Sequence, residues 1–383
     1  MQLELTAEQV FFAETTRKFL TDTCPTSRLR ERRDDPAGFD RDFWRQGADL
    51  GWTSLLVSEE DGGGSVSGQG VVDLTLVAFE FGRQAAPGPL TTANVVTAAV
   101  ARAGTAEQKA ELLPDLLAGV RIGSWAYAEP RPADRLGAVG LRATRRHGEY
   151  VLNGRKAPAE SAGMADLFLV TAIDDDGGLI QFLVPAGTAG VAVHPMHTLD
   201  VARRFGHVVF DDVTVPASAV LGDPGPAGAA DVERQLQIAL VIQLAEMVGT
   251  MDRGLELTTD WLFNRYSFGR PLASYQALKH RFADMRAWLE AGHAVADAAA
   301  QHVQDASDRA GEYVSAGKSF LGVYALEVLQ ECVQFHGGIG VTFEHDLHLY
   351  LRRAVLDSQL YGTIADHRER LTSILEGREH SDG

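Results

Sequence analysis

Apolar side chains in the first part of the chain recur with the period of a helix. Val10, Phe11, Phe19 and Leu20 recur at helical spacing in a segment that begins after Thr6, and this pattern predicts a helix over residues 6–23 with Thr6 as its N-cap. Residues 1–119 are therefore predicted to form an N-terminal helical domain. Similar patterns predict its other helices, over residues 43–51, 71–82, 92–103 and 106–117.

After residue 120 the pattern changes to short apolar runs separated by turn residues, which is typical of strands. Asn153-Gly154 at the end of one run predicts a hairpin turn. Strands of this length and spacing indicate a small β-barrel or sandwich, so residues 120–228 are predicted to form a middle β domain. The Gly, Pro and Ala content of residues 222–230 predicts a linker. The predicted strands lie in residues 123–130, 149–156, 167–170, 180–185 and 207–216.

A long helix dominates the last part of the chain. No proline occurs between Pro226 and Pro271, and we predict an uninterrupted helix over residues 231–268. Further helices are predicted over 274–303, 309–335, 344–355 and from 364 onward. Residues 229–383 are thus predicted to form a C-terminal helical bundle, and the fold class is α+β. The apolar face of the long helix consists of Leu240, Leu244, Met247, Met251, Leu255 and Leu262.

Charge and composition exclude several kinds of partner. The net charge of −17 at pH 7 argues against nucleic acid, because phosphate backbones would be repelled. The first residues show no secretory signal, and no apolar run is long enough to span a membrane. The two cysteines, Cys24 and Cys332, are too few for a disulfide framework. We therefore expect a cytoplasmic protein, and the spacing of Cys, His and carboxylates indicates no metal site.

Two motifs in the last domain carry the candidate chemistry. A guanidinium, an aromatic ring and an amide at the end of the long helix suit a ligand with phosphate and a flat heterocycle. In the second motif, glycines allow backbone N–H groups to approach an anion. The first motif contains Arg265, Phe268 and Gln276, and the second contains Gln334, Gly337, Gly338 and Gly340.

These motifs, Arg-x-x-Phe-Gly-x-x-Leu-x-x-Tyr-Gln and Gln-x-His-Gly-Gly-x-Gly, resemble the flavin-binding signature of acyl-CoA dehydrogenases. The resemblance extends over nearly the whole chain. It implies the three-domain fold of that family and bound FAD. It also implies that an acyl-CoA or other acyl thioester is desaturated between its α and β carbons. Besides the residues of the two motifs, Tyr127, Ala128 and Thr363 are implied as FAD contacts.

The position of Arg265 bears on assembly. Ala239 and Arg265 are 26 residues apart, or ~39 Å along a straight helix, so one dinucleotide cannot reach both ends. The resemblance implies that Arg265 contacts the FAD of a neighbouring subunit, while the upstream part of the helix faces its own acyl pocket. We therefore expect a homo- or hetero-oligomer, at least a dimer and plausibly a dimer of dimers.

The resemblance also implies a glutamate that removes the α-proton, and this chain departs from it. Tyr361 occupies the usual position of that glutamate, and Ala239 occupies the other known position. A tyrosine with a pKa near 10 costs about 4 kcal/mol to ionise at pH 7. Glu246, two helical turns beyond Ala239, is the second candidate base, with a buried structural role as its alternative.

Further departures surround the implied flavin site. Glu160 stands where family members often carry a threonine, and Pro158 replaces an aromatic residue. The family's glycine-rich segment after Glu129-Pro130 is replaced by residues 131–135. Four hypotheses stay open: a dehydrogenase with Tyr361 in place of the glutamate, a partner subunit without a base in a heteromeric dehydrogenase, a flavin oxidase or oxygenase, and a non-enzymatic relic. The acyl group is not indicated by any motif.

Overall fold

The computed structural model describes residues 4–130 and 136–381, with side chains described up to residue 377. Residues 131–135, which replace the family's glycine-rich segment, lie outside the described residues. Six helices form the N-terminal part: α1 (Ala7–Thr23), α2 (Thr26–Glu31), α3 (Arg41–Asp49), α4 (Gly70–Gln84), α5 (Leu90–Ala103) and α6 (Ala106–Leu117).

Local signals in the sequence account for most of these helices. The Thr6 side chain caps α1 and forms a reciprocal capping box with Gln9, as the N-cap prediction required. Thr105 and Gln108 form a second capping box at the start of α6. Helix α2 was not predicted, because a single buried apolar residue, Leu29, shows no periodicity over six residues.

The strands of the middle part are β1 (Gly123–Ala126), β2 (Arg142–Arg146), β3 (Glu149–Glu160), β4 (Leu167–Ile173), β5 (Leu179–Pro185), β6 (Val191–Met196), β7 (Phe205–Pro216) and β8 (Val220–Leu221). They pair as one eight-stranded sheet in the order β6-β7-β3-β2-β4-β5-β8, with β1 paired to β4 outside this path. Tyr150 on β3 contacts Phe182 on β5, with 5.1 Å between ring centroids, although two strands separate them in the sheet. The sheet is therefore strongly curved.

The hairpin predicted at Asn153-Gly154 was wrong, because strand β3 runs straight through these residues to Glu160. The Asn153 side chain exchanges hydrogen bonds with Asp212 on β7 at an irregularity in the β3–β7 pairing. The actual turn joins β2 to β3 at His147 and Gly148, whose φ angles are 51° and 88°. Cross-strand contacts therefore decide the conformation of the Asn-Gly pair.

The C-terminal part is a bundle around α7 (Pro226–Asn264), with α8 (Gln276–Gln304), α9 (Ala310–His336), α10 (Leu347–Gln359) and α11 (Ile364–Ser381). The predicted linker was wrong at its end, because α7 already begins at Pro226, where proline is tolerated in the first turn. The long helix also ends earlier than predicted, since β9 (Tyr266–Ser267) and β10 (Arg270–Pro271) form a hairpin around Phe268-Gly269.

Helices α4 and α7 pack closely and join the N-terminal part to the bundle. A Cβ atom at Gly82 would lie 2.0 Å from the backbone oxygen of Glu246, and one at Gly249 would lie 2.1 Å from that of Phe79. One hydrophobic core spans the N-terminal helices, β1 and the bundle, and a second lies within the sheet. The architecture is therefore the predicted α+β fold of helices, sheet and helices. Within the described residues, no helix is long and apolar enough to cross a membrane.

Candidate functional site

A cavity of about 310 Å³ lies between the sheet and the bundle. This volume is at the lower end of the range of small-molecule sites. The ends of β1 and β3 form one side, and the end of α10 with the turn at 360–363 forms the other. The polar and aromatic groups of its lining are Trp125, Tyr127, Glu129, Glu160, Thr198, Phe205, Gln359, Tyr361 and Thr363.

Three aromatic rings stack along the cavity. Trp125 lies 4.6 Å from Tyr127 and 5.7 Å from Tyr361, measured between ring centroids. Tyr361 has a φ angle of 58°. The neutral imidazole of His367 donates from Nε2 to the backbone carbonyl oxygen of Tyr361 at 2.9 Å and so holds the Tyr361 backbone in place. Burial raises the pKa of Tyr361 above its usual value, and the nearby Glu160 carboxyl adds to the effect. The phenol is therefore a weaker source of tyrosinate than a free tyrosine.

Glu129 uses both carboxylate oxygens to hold the cavity wall. They accept hydrogen bonds from the backbone N–H groups of Gly140 and Leu141, and one accepts from Lys156 Nζ at 2.6 Å. Burial lowers the pKa of Lys156 to about 8, although Glu129 opposes the change. This pair ties β3 to the segment before β2 and leaves no carboxylate oxygen of Glu129 unused.

A buried ion network begins behind the cavity at Arg203. Its Nε donates to Glu160 Oε1 at 2.6 Å, and its Nη1 donates to Asp357 Oδ1 at 2.8 Å and to Glu246 Oε2 at 3.3 Å. All four side chains are at most 5% exposed. One guanidinium therefore neutralises carboxylates from β3, α7 and α10.

The network continues through Arg353 to Asp200 and through Asp357 to Lys318. Arg353 donates to Asp200 and to the second oxygen of Glu246, and its Nη2 donates to the backbone oxygens of Ala85 and Ala86. Lys318 donates to Gln243 and to the backbone oxygens of Asp357 and Leu360. Burial lowers the pKa of Lys318 to about 7, although Asp357 opposes the change. The network thus crosslinks α7, α9 and α10 below the cavity.

The structure places Glu246 inside this network and not at the cavity lining. Its two oxygens accept from Arg203 and Arg353, which hold the side chain in one position. Ala239, the alternative base position, is fully buried and carries no functional group. The arrangement of Glu246 is that of a structural hydrogen-bond partner.

Only some of the sequence-predicted residues meet at the cavity. Tyr127, Ala128, Tyr361 and Thr363 line it together. The remaining predicted FAD contacts do not line the cavity, because they lie beyond the far end of α7 and at the end of α9. They are Arg265, Phe268, Gln276, Gln334, Gly337, Gly338 and Gly340.

At that far end, the two motifs are adjacent in one chain. Arg265 lies over the ring of Trp261 at 5.6 Å. Trp261 in turn stacks on His336 at 5.0 Å and donates from Nε1 to the backbone oxygen of Phe335. Cβ atoms built at Gly269, Gly337 and Gly338 would meet nothing within 4 Å, so these backbones border open space. Apart from Gly340, which is buried, the predicted contact residues of both motifs are exposed.

The sequence analysis missed Arg203, Arg353, Asp357, Asp200 and Lys318. Arg203 and Asp357 are 154 residues apart, and such a pairing has no local sequence pattern. The one available signal was Lys318, a charged residue among apolar neighbours on α9. That signal indicates a buried cation but does not identify its partners.

Comparisons with known proteins agree with this architecture. Sequence models of the acyl-CoA dehydrogenase N-terminal, middle and C-terminal domains match residues 6–120, 124–213 and 226–375. An acyl-CoA dehydrogenase of Bacillus subtilis (strain 168) is 28% identical over 98% of this chain and 100% of its own length.

Solved structures of related proteins have the same fold over nearly the whole chain. A Tcur3481-Tcur3483 steroid ACAD variant is 29% identical with a TM-score of 0.87, covering 97% of this chain and 99% of the other. A chain of the ChsE4-ChsE5 complex from Mycobacterium tuberculosis is 26% identical with a TM-score of 0.86, covering 100% of both chains.

Proposed function

The chain belongs to the acyl-CoA dehydrogenase family, a family of flavin oxidoreductases, and on that premise we propose that it is an FAD-holding subunit that supplies no base of its own. Its assembly desaturates an acyl thioester between the α and β carbons. One observation carries the proposal. The two positions at which the family resemblance places the base hold Tyr361, which lines the cavity, and Ala239, which is buried in α7.

The aromatic lining of the cavity fits a flat heterocycle. The rings of Trp125, Tyr127 and Tyr361 stack on one another at the cavity. A flat ring system packs favourably against such aromatic side chains. Tyr127, Ala128 and Thr363 line the same cavity and are the proposed contacts with the ring system. Bound FAD supplies the two-electron acceptor that desaturation requires.

The other acidic groups near the cavity are poor bases. Glu129 and Glu246 are each held by two or more donors. Glu160 accepts a hydrogen bond from Arg203 through Oε1, and its other oxygen has no surface accessible from the cavity. Tyr361 is costly to ionise, and its stacking on Trp125 indicates a ring that shapes the cavity. We therefore favour a sister chain as the source of the base over Tyr361 itself.

An exposed apolar surface supports assembly with another chain. Phe268 is 97% exposed, and Phe263 and Tyr266, within five residues of it along the chain, are each more than 60% exposed. Apolar side chains concentrated in this way mark interaction surfaces. This surface borders Arg265, the proposed phosphate contact for the FAD of a neighbouring subunit. The structural likeness to a chain of the ChsE4-ChsE5 complex supports assembly with a second, different chain.

The proposal is tested by mixing the purified, FAD-loaded chain anaerobically with saturated thioesters: butanoyl-, isobutanoyl-, octanoyl- and palmitoyl-CoA. We expect no loss of flavin absorbance, because no group in this chain removes the α-proton. Rapid bleaching that disappears in Tyr361→Phe would instead identify Tyr361 as the base. Bleaching that persists in Tyr361→Phe would contradict a baseless chain altogether.

A further inference from the structure

A second pocket, of about 330 Å³, lies where the N-terminal helices meet the bundle. Its walls come from the segment between α3 and α4, the end of α5, the first turns of α7 and the end of α8. It shares no lining residue with the cavity between the sheet and the bundle. Its volume is within the range of sites for small molecules. Polar side chains in its lining include Ser65, Arg102, Asp231, Arg234, Gln235 and Gln304.

Several of these polar groups already have partners within the chain. Arg102 Nε donates to Asp231 Oδ1 at 3.0 Å, and Asp231 is the sole carboxylate among the lining residues. The side-chain amide of Gln235 exchanges two hydrogen bonds with that of Gln181 on β5, at 2.8 and 2.7 Å. These groups therefore do not require a ligand.

Arg234 is a cation without a counter-ion in the part of the chain that the structure describes. Its Nη1 donates to the backbone oxygen of Val303 at 2.5 Å, and its other N–H groups have no acceptor among those residues. The side chain is half-buried, and burial together with the neighbouring charge of Arg102 lowers the pKa of Arg234. A partly desolvated guanidinium beside a like charge is stabilised when an anion binds to it.

Gln304 places a second donor next to this guanidinium. Its Oε1 accepts from the backbone N–H of Val71 at 2.9 Å, and its Nε2 has no acceptor within residues 4–130 and 136–381. Gln304 directly follows Val303, whose carbonyl binds Arg234, so the two donors lie close together. The groups left for a ligand are thus donors and one positive charge, which is the arrangement that binds an oxyanion.

We propose that this pocket binds an oxyanion, a carboxylate or phosphate group carried on a small apolar body, through the guanidinium of Arg234 and the amide N–H of Gln304. Aliphatic side chains such as Leu55, Val57 and Ile238 line the rest of the pocket and suit the apolar body. The net charge of −17 repels anions from the molecule as a whole, so binding depends on these local donors. The inference is independent of the proposed function, because the two pockets share no residue.

Ligand-observed NMR on the purified full-length protein tests the site, with butanoate and inorganic phosphate as probes and butan-1-ol as the uncharged control. Butanoate should bind, and butan-1-ol should bind at least tenfold more weakly. Displacement of butanoate by phosphate would show that the oxyanion alone is recognised, whereas no displacement would assign the pocket to carboxylates, and either result agrees with the proposal. Equal binding of butan-1-ol and butanoate, or no binding of either anion, would overturn it.

Two substitutions locate the binding. Arg234→Gln keeps a donor for the Val303 oxygen but removes the charge, and butanoate should bind roughly ten- to hundredfold more weakly, the effect of one charge-assisted hydrogen bond. Gln304→Glu keeps the acceptor for Val71 N–H but supplies Arg234 with a carboxylate, so butanoate binding should fall by at least tenfold.

Arg45→Gln is the matched control, because it removes an exposed guanidinium outside the pocket and should leave butanoate binding unchanged. Urea unfolding of each variant shows that it is folded, and Gln304→Glu keeps the test decisive if Arg234→Gln does not fold. Wild-type affinity for butanoate in a folded Arg234→Gln or Gln304→Glu variant would contradict the inference.

Discussion

At the scale of single residues, His367 shows how a buried group fixes the loop that carries Tyr361. Its Nε2–H donates to the Tyr361 oxygen, and its Nδ1 accepts from the Ser315 hydroxyl at 3.2 Å. A Cβ atom at Gly362 would lie 2.8 Å from His367 Nε2, so glycine is needed beside the imidazole. The position of Tyr361 at the cavity therefore depends on a neutral histidine beneath it.

His367 predicts a defined loss of stability in acid. Burial lowers its pKa from 6.5 to about 4, so between these values the unfolded chain binds a proton that the folded chain does not. Its contribution is fully present above pH 6.5 and is lost as the pH falls toward 4, by about 3 kcal/mol in total.

Urea unfolding of wild type and His367→Gln from pH 8 to 4 checks this effect. Glutamine can donate to the same carbonyl but does not titrate, so the variant should lose less stability than wild type across this window. Carboxylates titrate in both proteins and cancel in the difference. Parallel pH curves for the two proteins would refute the assignment.

Arg203 predicts a large stability effect at one position. Arg203→Met leaves Glu160, Glu246 and Asp357 without their shared cation. Removing one partner of a buried ion pair costs about 3–5 kcal/mol, so the urea midpoint should fall sharply. Arg45→Met removes an exposed ion pair with Asp42 and should cost less than about 1 kcal/mol. Equal effects of the two substitutions would show that the network does not act as described.

At the scale of elements, local chemistry made parts of the fold predictable and long-range contacts made other parts unpredictable. The Thr6–Gln9 capping box is formed by residues three positions apart, and the apolar face of α7 is formed by residues that recur every three or four positions. Each feature is therefore encoded locally in the sequence. Asn153-Gly154 has a turn sequence, but its pairing with Asp212, 59 residues away, keeps it in a strand. In the candidate site, the family resemblance pointed to Tyr127, Ala128, Tyr361 and Thr363, which line one cavity, whereas no sequence pattern pointed to Arg203.

The contact between α4 and α7 gives a prediction at this scale. An added methyl group at Gly82 or Gly249 would collide with backbone and force the helices apart beside Glu246. Gly82→Ala and Gly249→Ala should each destabilise the protein by about 1–3 kcal/mol, measured by urea unfolding.

Gly377→Ala on α11 is the matched control for these helix glycines. A Cβ atom there would meet nothing within 4 Å, and alanine favours a helix by about 0.5–1 kcal/mol over glycine. This variant should be as stable as wild type or slightly more stable. Tolerance of alanine at both Gly82 and Gly249 would contradict the close helix contact.

At the scale of the whole molecule, the two groups of proposed flavin contacts are separated within one chain. Tyr127, Ala128 and Thr363 line the cavity, whereas Arg265 lies at the other end of α7, a helix of 39 residues. If both groups bind FAD, each cofactor is held by two chains, and binding and assembly depend on each other. The exposed aromatic surface around Phe268 is the proposed site of that contact.

Native mass spectrometry of the FAD-loaded protein tests this shared site most directly. We predict an assembly of at least two chains that retains FAD, and we predict that Arg265→Leu loses FAD. Arg270→Leu is the matched control, because Arg270 lies on the same hairpin against the Tyr275 ring and should retain the cofactor. A single chain that holds FAD, or an Arg265→Leu variant that keeps it as fully as wild type, would contradict a flavin site built from two chains.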